Sequence, residues 1–393
     1  MKFYKSEAPN IVSDFAKEFN FEDLRPYYDA ESASAMERIA HDELYHKVMA
    51  FMFPNLSKED VIQKALNTKS PYEFQTGFMQ HAIWSIIKQS AENLTWSGLE
   101  KLDKNKSYLY IANHRDILLD SAILQIILDK EEFETSEITF GSNLMMEGFV
   151  TDFCKMNRMF AIKREGTVKE LYEISRQLSA YIRHTIVDKN VSIWISQRNG
   201  RTKDGNDFTQ TGLLKMLNMS GNKDFKQSML ELNIVPITIS YEYEPCDNLK
   251  VQELYLTNID GEYIKTPGED LNSILTGIKQ QKGKIHVAFG SPIINELDLI
   301  DKATSENEKV KQLTACIDKQ IHKNYKLNAV NYIAYDLLNQ CSVFEKNYTE
   351  NEKQQFSEYI NSQTAQLTGE PEDLRNIFIK LYATPVANKL LKY

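Results

Sequence analysis

The stretch Tyr108 to Leu124, YLYIANHRDILLDSAIL, decides how the chain reads. It opens as a short apolar strand, Tyr108 to Ala112, and breaks on Asn113-His114-Arg115-Asp116. It then resumes as an apolar run whose period suits a buried helix. A histidine, an arginine and two carboxylates are thus packed into one strand-to-helix junction, where side chains face a pocket and not the core. His114 is the one histidine of the chain that stands in a motif. Lifted to a strand end beside carboxylates, it can act as general base toward a hydroxyl or amine, with an aspartate fixing its tautomer and stabilising the imidazolium. Asp116 lies two residues on and Asp120 six, and in a continuous helix neither shares the histidine's face. Pairing therefore requires His114 in the turn before the helix, with the aspartate reaching back from the first turns. The competing account makes Asp116 a helix N-cap and His114 a plain loop residue.

Working outward, residues 101–300 alternate strand and helix patterns. Candidate strands are Ser107 to Ala112, Glu137 to Gly141, Arg158 to Lys163, Val191 to Ser196, Ile234 to Tyr241 and Lys284 to Phe289. Helical patterns fill Ile117 to Asp129, Val168 to Val187 and Gln210 to Met219. Such alternation implies βαβ units, hence an α/β fold with a central, mostly parallel sheet flanked by helices. Asn248 to Lys282 is polar and turn-rich and reads as an excursion from the sheet. Residues 1–100 read as a mostly helical N-terminal region, with one helix over Ser34 to Phe53 ended by Pro54 and another from Pro71 to Gln89. His41, His46 and His81 fall there without partner motifs and read as surface or packing residues. Residues 301–393 read as a helical, highly charged C-terminal region.

Composition narrows the function classes. At 393 residues the chain can bury a large core, and its net charge of −9 argues against general nucleic-acid binding. Mean hydropathy is −0.45, and no apolar run approaches the roughly 18 residues that a membrane span needs. The start, MKFYKSEAPNIVSDF, lacks the uninterrupted apolar core of a signal peptide. Cys154, Cys246, Cys316 and Cys341 stand far apart, which points to reduced cytosolic thiols and against a zinc site or disulfide framework. No glycine-rich dinucleotide or phosphate loop is present. Asp204-Gly205-Asn206-Asp207 matches no calcium-loop spacing, and turn chemistry explains it. No metal or cofactor is expected.

NHRDILLDS resembles the first block of the glycerol-3-phosphate and lysophosphatidate acyltransferase superfamily, a histidine followed by an aspartate after four residues. Further stretches resemble that family's blocks in order. These are GSNLM from Gly141 to Met145, FAIKREG from Phe160 to Gly166 and WISQRNGRTKDG from Trp194 to Gly205. IVPITISYE from Ile234 to Glu242 and AFGSPI from Ala288 to Ile293 follow. Two departures stand out. Five residues, not four, separate His114 from Asp120, so Asp120 is the first choice for orienting the histidine and Asp116 the second. The third block lacks the family's glutamate: Gln197 or Arg198 stands there, and the glycine comes later, at Gly200.

The resemblance implies an acyltransferase that carries a fatty acyl group from acyl-CoA or acyl-ACP, as co-substrate, to a hydroxyl of glycerol-3-phosphate or lysophosphatidate. His114 would be the base, with Asp120 or Asp116 beside it. Arg115, Asn143, Lys163, Arg164, Arg198, Gly200 and Arg201 would bind substrate, Arg164 and Arg201 foremost as an anion clamp; Lys203 adds to the positive field. A lipidic acceptor and product imply peripheral contact with the cytoplasmic face of a membrane. The altered third block keeps two alternatives open: another lipid acceptor such as an N-acyl amino acid, or a non-catalytic lipid- or acyl-carrier-binding protein.

Overall fold

Alternation in the opening stretch sends Tyr108, Tyr110 and Ala112 into one core cluster, and Leu109 and Ile111 into another across the sheet. A strand buried on both faces belongs inside a largely parallel sheet. The computed structural model, which describes residues 6–9, 12–53, 55–142, 148–163, 165–221 and 224–391, puts it there. The N-terminal helices are α1 (Asp29–Ala40), α2 (Glu43–Met52), α3 (Lys58–Leu66) and α4 (Gln80–Ser90). The sheet region runs β1 (Ala91–Ser97), β2 (Leu109–Ala112), α5 (Leu119–Lys130), β3 (Glu137–Gly141), α6 (Phe149–Met156), β4 (Met159–Ile162) and α7 (Val168–Val187). It continues through β5 (Ile193–Ser196), α8 (Thr211–Asn218), β6 (Ile234–Tyr241), α9 (Asp247–Asp260), α10 (Glu269–Lys279) and β7 (Gly283–Phe289). The C-terminal helices are α11 (Glu306–Asn324), α12 (Ala329–Asn339), α13 (Glu350–Thr364) and α14 (Pro371–Lys389).

The strands order as β1-β7-β6-β2-β5-β3-β4. All pairings are parallel except β6 with β7. The chain leaves β2 toward β3, β4 and β5 on one side and returns to β6 on the other. That reversal opens a crevice at the carboxyl end of β2, where an open α/β sheet takes its ligand. Asn113, fully buried, extends the pairing past the strand: its Oδ1 accepts from Ile239 N at 2.8 Å and its Nδ2 donates to Ile239 O at 3.0 Å.

Behind the crevice lies a knot of buried charge. Arg115, with no exposed surface, donates to Asp207 Oδ2 at 2.5 Å, to Glu244 Oε2 at 3.0 Å and to Gly205 O at 3.2 Å. Lys250 Nζ donates to Glu244 Oε1 at 2.6 Å and to Arg115 O at 2.7 Å. Asp207 also accepts from Asn113 Nδ2 at 3.0 Å and from Thr202 Oγ1 at 2.9 Å. Two cations therefore face two carboxylates, and the guanidinium lies 5.1 Å from the Tyr325 ring beyond α11. The junction after β2, the loop after β5 and the segment after β6 are thus held against one another.

Three sequence expectations change. Residues 91–97, read within the helical N-terminal region, form β1, an edge strand pairing with β7. Leu94 and Trp96 pack against the core while Glu92, Asn93, Thr95 and Ser97 are exposed. So short an alternation carries little signal without its partner. The single helix over Ser34 to Phe53 is two, broken at His41-Asp42, because Asp42 accepts from Leu44 N at 2.7 Å and caps the second. Pro54 lies outside the described residues. The 248–282 excursion is largely helical, as α9 and α10. Residues 71–90 run helical with a π-helical stretch, Phe74–Met79, that turns Gln75 and Met79 toward the crevice side of α5.

Truncating Arg115 leaves Asp207 and Glu244 buried against half the positive charge. Arg115→Ala is expected to lose about 3–5 kcal/mol of unfolding free energy. Urea unfolding followed by circular dichroism measures this, and a change within error would mean that the knot carries no stability.

Candidate active site

Three consecutive residues after Asn113 go three ways. His114 turns to the crevice, Arg115 to the knot, and Asp116 to the start of α5. Asp116 Oδ1 accepts from Leu118 N at 2.9 Å and Leu119 N at 2.7 Å, so it holds the turn that leads into the helix, whose N-cap position is Leu118. Asp120 sits in the helix's first turn and reaches back. Its Oδ2 accepts from His114 Nδ1 at 2.9 Å, Arg115 N at 2.5 Å and Asp116 N at 2.9 Å. Its Oδ1 accepts from the Tyr241 hydroxyl at 2.8 Å. Burial, then the nearby Asp120 carboxylate, hold the Tyr241 hydroxyl well above its ordinary pKa, so it stays a donor. The five-residue gap is absorbed by the turn at 113–118.

The acceptor at Nδ1 assigns the ring proton there and leaves Nε2 with its lone pair, on the edge away from Asp120. Trp194 of β5 meets the imidazole edge to face at 5.6 Å, and Thr202 N donates to His114 O at 2.7 Å. Ring and backbone are both fixed. The histidine side chain is 15% exposed, against 1% for Asp120, so a substrate reaches the base and not its partner.

His114 lines a cavity of about 270 Å³. Its walls are mostly apolar, with Met79, Ile117, Leu118, Phe140, Phe153 and Trp194 among them. Gly200, Arg201, Lys265 and Asp270 bring polar groups to the same space. A second cavity, about 40 Å³, shares Met79, Ile117, Leu118 and Ser121 with the first and runs on to Ala122 and Ile126 of α5. The arrangement offers a base at one end of an apolar channel and cations beside it.

The other expected site residues divide. Arg201 donates to Ser273 Oγ at 3.1 Å through one terminal nitrogen, while the other is buried with no hydrogen-bond partner among the described residues. Arg198 does not line the cavity; it lies over Phe208 at 4.5 Å. Lys163 is exposed just past β4. Lys203 pairs with Glu253 of α9. Arg115 is spent in the buried knot and presents nothing to the crevice, which corrects its expected part in binding substrate. Asn143 and Arg164 lie outside the described residues. Gln197, where the family has glutamate, is fully buried: its backbone N donates to Ala112 O at 2.8 Å and its Oε1 accepts from Thr209 Oγ1 at 3.3 Å. Residue reading alone passes over Tyr241, Lys265 and Asp270. Tyr241 ends a strand read from its apolar run, where a tyrosine passes for one more core residue, and the other two lie in the polar excursion.

Charge is dense behind the site. Burial and the neighbouring Asp120 push the Asp116 carboxyl up. Lys282, buried, donates to Ser90 Oγ at 3.0 Å and Gln280 O at 2.6 Å. Burial pulls its pKa from 10.5 down to about 8, with the Asp116 charge opposing. Between those values the unfolded chain binds a proton that the folded chain lacks, so stability rises with pH across the window. Below pH 8 both states are protonated and the folded state bears the full cost of the buried charge. Lys282→Met removes the linkage. Its stability relative to the unsubstituted chain is expected to be highest below pH 8 and to decline toward high pH by on the order of 3 kcal/mol. Urea unfolding at several pH values tests this; parallel stability–pH curves would exclude it.

The family model described as Acyltransferase matches residues 93–240. Dihydroxyacetone phosphate acyltransferase of Bos taurus is 23% identical over 224 residues, which are 55% of this chain and 31% of that protein. The Homo sapiens protein of the same name is 21% identical over 266 residues, 64% of this chain and 37% of that protein. The chain thus spans about a third of the length of the curated relatives it matches. The crystal structure of the 1-acyl-sn-glycerophosphate acyltransferase of Thermotoga maritima is 13% identical, covers 75% of this chain and 97% of that one, and overlays with a TM-score of 0.35. At that level it carries no residue correspondences. The matched segment, running from β1 through β6, contains the His114–Asp120 pair and the strand ends around it. Over that segment the chain is similar to the Acyltransferase family and to the two dihydroxyacetone phosphate acyltransferases.

Proposed function

We propose that the chain transfers a fatty acyl group from acyl-CoA or acyl-ACP to a hydroxyl of a small phosphorylated glycerol-type acceptor, glycerol-3-phosphate or lysophosphatidate. The observation that carries this reading is His114, paired to Asp120 at 2.9 Å, opening on an apolar cavity beside an Arg201 nitrogen with no hydrogen-bond partner among the described residues. The two mammalian relatives, named for a phosphorylated three-carbon acceptor, point the same way.

In this mechanism His114 Nε2 takes the proton of the acceptor hydroxyl as its oxygen attacks the thioester carbonyl. The imidazolium that forms is stabilised by Asp120, which keeps the ring oriented through Nδ1. The tetrahedral intermediate expels the thiolate, and the imidazolium returns the proton to it. The products are the oxygen ester and free thiol, with no covalent enzyme intermediate. Arg201 grips the acceptor's phosphate. The apolar cavity and its inner extension take the acyl chain.

A lipidic product also favours docking on the cytoplasmic face of a membrane. Ile264, Leu271 and Leu275 are exposed, and each adjoins a residue that lines the cavity: Lys265, Asp270 and Ile274. No helix among the described residues is long and apolar enough to cross a bilayer. Contact would be peripheral.

Thiol release from palmitoyl-CoA and palmitoyl-ACP, with glycerol-3-phosphate, lysophosphatidate, dihydroxyacetone phosphate and N-acyl amino acids as acceptors, tests the reaction. Acceptor-dependent release is expected to fall roughly 10²–10⁴-fold in His114→Ala and to fall strongly in Asp120→Asn. Equal turnover in His114→Ala would sink the mechanism. Binding of acyl thioester without any turnover would favour a non-catalytic acyl-binding protein, and turnover restricted to N-acyl amino acids a different acceptor.

Ser121 lines both cavities and stands at their junction. Ser121→Leu is expected to close the inner one, raising the decanoyl-to-palmitoyl ratio of kcat/KM about tenfold, since a few lost methylene contacts are worth ~0.8 kcal/mol each. An unchanged ratio in a folded variant would show that the chain runs elsewhere.

A further inference from the structure

The α9–α10 excursion lies beyond the family-matched segment 93–240, yet it walls the cavity. Lys265 comes from the loop between the two helices, and Asp270 and Ile274 from α10. Lys265 Nζ rests 2.6 Å from Asp270 Oδ1, with both side chains partly exposed. One helical turn on, Ser273 accepts from Arg201. Both cations of the cavity therefore lean on one helix. They are held differently. Lys265 has a carboxylate, whereas Arg201 makes no ion pair among the described residues and keeps one buried terminal nitrogen without a hydrogen-bond partner. Lys203, another cation of the same loop as Arg201, is occupied by Glu253.

We propose that Arg201 and Lys265 form a two-cation subsite for a phosphomonoester, with Asp270 as the built-in competitor that Lys265 leaves when the phosphate arrives. The inference rests on the acyltransferase reading and adds to it how the acceptor class is chosen. A monoanion, such as a phosphodiester or a carboxylate, replaces one negative charge on Lys265 with another and gains little over Asp270. A phosphomonoester carries roughly −1.5 to −2 near neutral pH and has oxygens for both cations at once, so it displaces Asp270 with charge to spare. Asp270 makes the subsite selective by charge, at the expense of affinity. Lys265 is then a specificity-determining residue, contributed by the part of the chain that the family pattern does not include.

The test reads binding apart from turnover. ³¹P NMR titrations of glycerol-3-phosphate, inorganic phosphate and dimethyl phosphate are made with the whole chain and with Lys265→Ala, Lys265→Arg and Asp270→Asn. Glycerol-3-phosphate is expected to bind more tightly than inorganic phosphate, and both far more tightly than dimethyl phosphate. Lys265→Ala should weaken phosphomonoester binding about tenfold or more, as loss of a charge-assisted hydrogen bond does. Lys265→Arg should restore most of it. Asp270→Asn should tighten all three ligands and narrow the monoester-to-diester ratio. In the thiol-release assay Lys265→Ala should raise the acceptor KM by a similar factor while kcat stays within about twofold. Unchanged phosphate binding in Lys265→Ala, or an unchanged ratio in Asp270→Asn, overturns the proposal. These titrations need no catalysis, so their failure is distinct from failure of the acyltransferase reading, which the His114→Ala comparison decides.

Discussion

Arg115 is the constraint on which the crevice depends. Burying a guanidinium costs several kcal/mol unless its charge and its donors are met, and here two carboxylates from distant segments meet them. Asp207 belongs to the loop after β5 and Glu244 to the segment after β6, so the ion pairs draw the two strands flanking β2 together at their carboxyl ends. Lys250 balances the second carboxylate and bonds to the Arg115 carbonyl. Neutrality is therefore local, and each carboxylate is fixed by more than one donor. A hydrophobic cluster of equal volume would be as stable or more so, but it would not fix the backbone at 113–116 to within a hydrogen-bond length.

That fixed backbone lets one aspartate serve two purposes. Asp120 gathers the amides of Arg115 and Asp116 and the Tyr241 hydroxyl, which would hold its position even without the histidine. His114 then adds one further donor to a carboxylate already in place. The orienting group is pre-organised by the fold, so little entropy remains to be lost when the imidazole becomes charged. Asp116, the second choice by sequence, is consumed in starting α5. Holding the turn into the helix and orienting the base need the same residue type, and the turn geometry decides which aspartate does which.

The fold was legible where burial imposes a period. All six strands read from apolar runs are present, and the central ones, β2, β3 and β6, are buried on both faces and cannot hide their composition. β1 escaped because an edge strand of seven residues leaves most of its side chains in water. The pairing of His114 with a reaching-back Asp120 was legible as a geometric condition, and the turn meets it. The destination of Arg115 was not, since its partners lie 92 and 129 residues away. An arginine in a motif beside a histidine reads as a ligand for substrate; only the long-range carboxylates turn it inward. Asp207 was hidden for a related reason. DGND does make a turn, with Asp204 Oδ1 accepting from Asn206 N at 3.0 Å, and that local explanation left no reason to expect the last aspartate to be structural at long range.

Gln197 shows how a departure from a family pattern is absorbed. A glutamate there would bring a charge into a fully buried position beside Ala112 and Thr209, where, among the described residues, the side chain accepts one weak hydrogen bond at 3.3 Å and its amide nitrogen has no partner. Burying that charge unpaired would cost several kcal/mol, so the neutral amide suits this backbone. Arg201, four residues on in the same loop, makes its hydrogen bond to Ser273 on α10, and the buried carboxylate that acts on it is Asp116, from the junction after β2. The carboxylate that lines the cavity is Asp270, against Lys265. Both cations that line the pocket thus lean on α10, which lies beyond the matched segment 93–240, and selectivity has a reason to lie there.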